Sequence, residues 1–343
     1  PWVIRIYTEI FGSSFVSLKL LPSVVYLLVA WGVYNLLFNS GLNKKDSLAG
    51  CLIFLFIPAV SFSSFIISTD IFLLLFWTLS LNELIKISSE QSLKNFILLG
   101  IFLGLGFLSK YAAIYFVICL FVLILFDKRF RIIFFENLLG FSLTFLCVFI
   151  IIVPNIIWNF NNDWITLQHT SDNANFANIE INLIRGLQFL LIQILMLGPF
   201  IVLGGLFGFG KWNYIQKIFL IFSMPIILIV LVEAVIVRAN ANWAAPALIS
   251  LFSLLYIKIN NSFLKIANFV FNFTFCLVLF VMIGMSYPSK IFDRISGIND
   301  YALKIYSNSS NSVLKNIVVS DRLLFSSLNF ELRDKDINFY MPH

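Results

Sequence analysis

Asn95-Phe-Ile-Leu-Leu-Gly100-Ile-Phe-Leu-Gly104-Leu-Gly106-Phe-Leu-Ser-Lys110-Tyr111 is followed by a second apolar run that ends at Asp127-Lys128-Arg129. Two apolar stretches with one cation between them read as a membrane hairpin, with Lys110 at its tip where two spans meet water. A cation in that place suits a phosphate at the bilayer surface better than it suits a lipid tail.

The rest of the chain agrees with lipid as solvent. Of 343 residues, 60% are hydrophobic and only 12% are charged, about half the charge of a soluble domain. The net charge of +6 is explained by where Lys and Arg fall between apolar runs, so it does not argue for nucleic acid. Cys51, Cys119, Cys147 and Cys276 lie inside apolar runs without a C-x-x-C spacing and read as small hydrophobes. The two histidines, His169 and His343, argue against a His-based zinc site. No cofactor is implied, and a divalent metal is left open. The chain opens on Pro1 with no basic leader, so the natural protein is expected to begin further upstream.

Runs near 20–38, 47–67, 71–87, 95–109, 111–127, 132–153, 183–209, 218–237, 243–257 and 266–286 predict about ten helical spans. They are apolar all round, which excludes the alternating strands of a membrane barrel. One set of connections carries Lys44, Lys45, Lys86, Lys94, Lys128, Arg129, Arg131, Lys211, Lys217, Lys258 and Lys265. The opposite set carries Arg5, Lys19, Lys110, Arg185 and Arg238. Eleven against five places the first set in the cytoplasm. The expected protein is all-α and polytopic, with a transmembrane part over 1–286. A polar external tail over 287–343 would form a small α/β appendage.

Four turns then face the outside. Ser68-Thr69-Asp70 reads as a helix cap, as a carboxylate at the edge of an active site, or as both. Lys110 reads as a snorkelling lysine or a phosphate-binding cation. The 154–176 connection holds Trp158, Asn159, Trp164 and His169. It reads as an amphipathic interfacial helix whose indoles anchor in the aromatic belt or stack on a sugar. Arg238-Ala-Asn240-Ala-Asn242-Trp243-Ala-Ala-Pro246 again joins a cation, amides and an indole. Glu233, within the preceding span, needs a partner or water, and Arg238 is a candidate. Asp70, Lys110, His169 and Arg238 together make a site for an anionic lipid head carrying a sugar.

The segment 1–22, Thr69-Asp70-Ile-Phe-Leu-Leu-Leu-Phe-Trp77, Gly100 to Tyr111, Trp158-Asn159 through Trp164 and His169, and Asn242-Trp243-Ala-Ala-Pro246 resemble the membrane-embedded glycosyltransferases related to protein O-mannosyltransferases and to lipid A aminoarabinose transferases. The resemblance implies a GT-C fold, a polyprenyl-phosphate sugar donor and transfer at the outer face. It gives Asp70 a supporting catalytic role and makes Lys110 a cation near the donor phosphate. The family's acidic pair would lie upstream of Pro1. Arg238 and His169 are further candidates for the donor phosphate. Tyr111, Trp158, Asn159, Trp164, Asn242 and Trp243 are candidates for sugar or acceptor. The expected reaction is inverting transfer, with a carboxylate base, to lipid A, a glycan or a protein at the bacterial inner membrane. The rival readings are a lipid or solute transporter, or flippase, and an inactive remnant.

Overall fold

The computed structural model describes residues 2–174, 180–208, 212–259, 261–285, 299–310 and 316–342. The helices run in order as α1 (Trp2–Phe11), α2 (Phe15–Asn39), α3 (Lys44–Leu55), α4 (Pro58–Ser63), α5 (Thr69–Ile87), α6 (Leu93–Ser109), α7 (Ile114–Phe126), α8 (Lys128–Glu136), α9 (Leu138–Asn161), α10 (Ile165–Ala174), α11 (Leu183–Leu197), α12 (Pro199–Leu206), α13 (Tyr214–Ile221), α14 (Met224–Ile236), α15 (Ala245–Lys258) and α16 (Ser262–Gly284). Helices start where short polar side chains can take up free backbone N–H groups. Asn43, Asp127, Asn182 and Asn213 each accept such a bond.

The chain is an all-α, multi-pass membrane protein. Among the described residues, four helical segments, Val16–Asn39, Leu138–Asn161, Tyr214–Ile236 and Ser262–Met282, are long and apolar enough to cross a bilayer, and up to six count if each bent pair forms one span. The ten spans expected from apolar runs are therefore not established. The run 47–67 is divided between α3 and α4, and 183–209 turns by 99° between α11 and α12. Gly198, at φ +95, and Pro199 make that break. The run 111–127 meets α8 at 106°.

Packing combines close backbone approach at small residues with large buried side chains. A Cβ on Gly100 would meet the Thr144 carbonyl at 2.5 Å, so α6 and α9 touch backbone to backbone. The Thr144 hydroxyl donates to the Phe96 carbonyl at 2.8 Å across the same contact. The buried Asn82 donates to Gly32 O at 3.0 Å and ties α5 to α2. Val29, Val33, Leu36, Leu81, Leu84, Phe96 and Phe252 fill the core between these helices. On α9, by contrast, Phe145, Phe149 and Ile150 point outward. In water that face would be a large apolar patch, whereas in lipid it is simply solvated.

The bundle has two distinguishable ends. The turn over 40–43 sends α3 back along α2. Near the start of α2, Lys19 Nζ donates to Phe65 O at 3.0 Å and Ser23 Oγ to Ser64 O at 3.1 Å, just ahead of α5. Asp70 thus sits at the end where α2 starts, and Lys44, Lys45 and Asp46 at the end where it finishes. The 25 residues of α2 separate these ends by about 37 Å.

The chain comprises two compact units, Pro1–Cys276 and Leu277–His343. In the second, α17 (Asn299–Ser310) precedes β1 (Asn316–Val318), α18 (Arg322–Glu331) and β2 (Asn338–Tyr340). β1 and β2 pair in parallel across the α18 crossover, and Ala302, Val319, Leu328, Leu332 and Phe339 form a small core.

Candidate functional site

Asp70 lies in the first turn of α5, yet its carboxylate does not cap that helix. Ser68 is the N-cap residue and no side-chain bond closes the turn, which corrects the reading of Thr69 or Asp70 as a cap. The carboxylate is engaged elsewhere. Lys110 Nζ donates to Asp70 Oδ1 at 2.6 Å, and Asn242 Nδ2 donates to Asp70 Oδ2 at 3.1 Å. The Lys110 and Asp70 side chains are 28% and 18% exposed, so the pair is shielded but still reachable from water.

Each partner is aimed by local backbone structure. Lys110 ends α6 in an extended conformation, φ −161 and ψ 136, before a single 3-10 turn over Tyr111–Ala113 opens α7. The lysine therefore leaves the helix axis at the hairpin tip. Asn242 sits in a second 3-10 turn, Ala241–Ala244, that opens α15. α11 holds this turn: Gln193 Nε2 donates to Ala241 O at 3.0 Å and Arg185 Nη1 to Val237 O at 2.7 Å. Arg185 is itself paired with Glu180 at 2.6 Å.

A second polar group adjoins the first through the Lys110-Tyr111 bond. The Tyr111 hydroxyl donates to Asn155 Oδ1 at 2.9 Å and lies 2.9 Å from Thr166 Oγ1. Asn159 Nδ2 donates to the same hydroxyl at 3.2 Å, and Thr166 Oγ1 donates to Asn159 Oδ1. Asn159 is buried. This knot joins the end of α9 to the start of α10. The turn between them places Asp163 at φ +52 and Trp164 at φ +56, a left-handed conformation that side chains other than glycine adopt only under constraint.

The 154–176 connection is not one continuous helix. α9 continues through Pro154 to Asn161, and a separate short helix, α10, runs over Ile165–Ala174. Trp158 and Trp164 are both exposed there, while Trp243 is half-buried against the core. His169 lies in α10, but its side chain is outside the described residues. Arg238 is exposed and forms no ion pair with Glu233 or any other group among the described residues. Val237 turns away from helical geometry at φ −130 and ψ −87, which carries Arg238 off the α14 axis. The structure thus brings Asp70, Lys110 and Asn242 together, and gathers Tyr111 and Asn159 beside them. The side chains of Arg238, Trp158 and Trp164 carry no described bond to that centre.

Asn155, Thr166 and Gln193 were not anticipated. Asn155 and Asn159 are four apart and so share a helix face, a signal the sequence did contain. Among the described residues, no group of three or more His, Cys, Asp or Glu gathers to hold a metal ion.

Residues 1–158 match the profile of a family described as dolichyl-phosphate-mannose-protein mannosyltransferase. The chain resembles the GT-C glycosyltransferases of the protein-mannosyltransferase type. It is also 28% identical over 255 residues to the lipid A galacturonosyltransferase RgtD of Rhizobium johnstonii, covering 73% of this chain and 53% of that protein. The chain thus spans about half the length of the curated relative it matches. No solved structure matches it. The profile match includes α5 and α6 with Asp70 and Lys110, so the paired carboxylate and cation lie in the part of the chain that resembles this glycosyltransferase group.

Proposed function

We propose that the chain transfers a sugar from a polyprenyl-phosphate donor to a lipid, glycan or protein acceptor, with inversion, at the outer face of a bacterial inner membrane. The observation that carries this reading is Asp70, bonded on one oxygen to Lys110 and on the other to Asn242. Three turns distant in sequence meet at one end of the bundle, beside an aromatic and amide-rich rim. The identity to a lipid A galacturonosyltransferase supports a lipid A type of acceptor.

The chemistry suits these residues. The acceptor hydroxyl attacks the anomeric carbon, the bond to the lipid phosphate breaks, and a carboxylate base takes the hydroxyl proton. The leaving phosphate is already anionic, so it needs cations more than an acid. Lys110 has two further N–H donors for that phosphate after its bond to Asp70. Asp70, held to Lys110 by one oxygen and to Asn242 by the other, serves as a positioning group that aims both side chains. Arg238, exposed and without an ion-pair partner among the described residues, is the second cation available to the donor, with His169 a further contact. Trp158 and Trp164 offer exposed ring faces to the sugar or acceptor.

The test is transfer of label from a panel of polyprenyl-phosphate sugars, including mannose and galacturonic acid, in membranes from cells that carry the gene. Transfer should require the gene and be lost in Lys110→Ala. Equal transfer with and without the gene, or with Lys110→Ala, would overturn the reading.

A further inference from the structure

The opposite end of the bundle carries a site that sugar transfer does not use. A cavity of about 320 Å³ opens between α3, α15 and α16, with Asp46, Tyr256, Ser262 and Lys265 at its polar part and Leu52 and Phe269 along its apolar wall. It lies where α2 ends, far from Asp70. Tyr256 is its fixed post. The ring is buried, and its hydroxyl donates to the Asp46 carbonyl at 2.9 Å. Lys265 Nζ stands 4.2 Å above the ring centroid, a cation–π contact.

The two charges of the cavity attract each other but do not touch. Asp46 and Lys265 line one space and Asp46 favours the charged form of Lys265, yet they form no direct ion pair among the described residues. Asp46 Oδ2 accepts from Asn43 at 2.9 Å, and its Oδ1 has no described partner. A carboxylate and an ammonium held apart across an open space, over an apolar wall, complement an amphiphile whose head bears both signs of charge.

We propose that this cavity binds one phosphoethanolamine-class glycerophospholipid. The lipid phosphate meets Lys265, the ammonium donates to Asp46, and an acyl chain follows Leu52 and Phe269. A purely anionic lipid meets the repulsion of Asp46. A choline head lacks N–H donors for the carboxylate, and the Tyr256 face it would otherwise use is covered by Lys265. A free phosphate gains nothing from the apolar wall.

The experiment uses the full chain, delipidated in a non-ionic detergent. It is titrated with dioleoyl-phosphatidylethanolamine, dioleoyl-phosphatidylglycerol, dioleoyl-phosphatidylcholine and soluble glycerophosphoethanolamine. The readouts are the thermal unfolding midpoint and lipid adducts in native mass spectrometry. The ethanolamine lipid should stabilise saturably, with the other three half-saturating at concentrations at least about tenfold higher. Lys265→Gln should raise the ethanolamine lipid's half-saturation about tenfold, the effect of one charge-assisted contact. Leu52→Trp fills the apolar wall without touching either charge and should have the same effect; it keeps the test decisive if Lys265→Gln fails to fold. Equal responses to all lipids, a full response to the soluble head group, or an unchanged response in the folded variants would each overturn the proposal. None of these results depends on glycosyl transfer.

Discussion

Lys110 and Asp70, forty residues apart in the chain, meet at 2.6 Å at one end of the helix bundle. Neither residue type is unusual at a membrane boundary. Their meeting, with Asn242 on the other carboxylate oxygen, turns three separate turns into one electrostatic unit. In a partly shielded place such a unit orients a cation toward an arriving phosphate without reorganisation.

If Asp70 positions Lys110, Asp70→Asn should lower sugar transfer roughly a hundredfold, and Asp70→Glu should recover part of the loss. The split of kcat and KM with donor concentration is the informative readout. A purely structural role would lower the amount of folded protein but leave the turnover of what remains near wild type.

Lys110→Ala should weaken donor binding about ten- to a hundredfold, the range for one hydrogen bond to a charged group. Lys110→Arg should retain part of that affinity. Equilibrium binding of a polyprenyl-phosphate sugar to the purified protein measures both, and unchanged affinity in Lys110→Ala would remove the lysine from the donor site.

Tyr111→Phe deletes the hydroxyl shared by Asn155, Asn159 and Thr166. It should cost about 0.5–1.5 kcal/mol, the net worth of a hydrogen bond, because the buried Asn159 amide keeps its bonds to Asn155. The loss should appear as faster amide exchange in α10 and around Asp163 and Trp164. Exchange confined to other helices would show that the knot does not hold this turn.

Gly198→Ala should destabilise by about 3 kcal/mol. The backbone there is at φ +95, and a Cβ would lie 2.4 Å from Asn268 Oδ1. Gly41, at φ +97, has nothing within 4 Å of a built Cβ, so Gly41→Ala should cost only the backbone strain of about 1 kcal/mol. Thermal unfolding of both variants in detergent checks the order. Equal losses would mean that the close packing around the α11–α12 break contributes nothing.

Much of this protein was open to reading from particular residues. The unbroken apolar run before Lys110 and the one after it required helices in lipid, since no other backbone satisfies its own polar groups there. The asymmetry of Lys and Arg placed Asp70, Lys110 and Asn242 on one side, and the structure puts them at one end of the bundle. The helix breaks were missed in part, although Gly198-Pro199 carried a stop and a start signal inside the 183–209 run. The Tyr111 knot was missed because asparagine and threonine near a helix end have many uses, and only their meeting selects one.

Local sequence, then, decided solvent and helix, because hydropathy acts on each segment independently of its neighbours. Only the tertiary structure decided that Asp70 grips Lys110 and Asn242 rather than capping α5, and that Asp46 and Lys265 face one cavity without touching. A hydrogen bond is settled within a few tenths of an ångström, and that distance is set by how α5, α6 and α15 pack, not by any one of them.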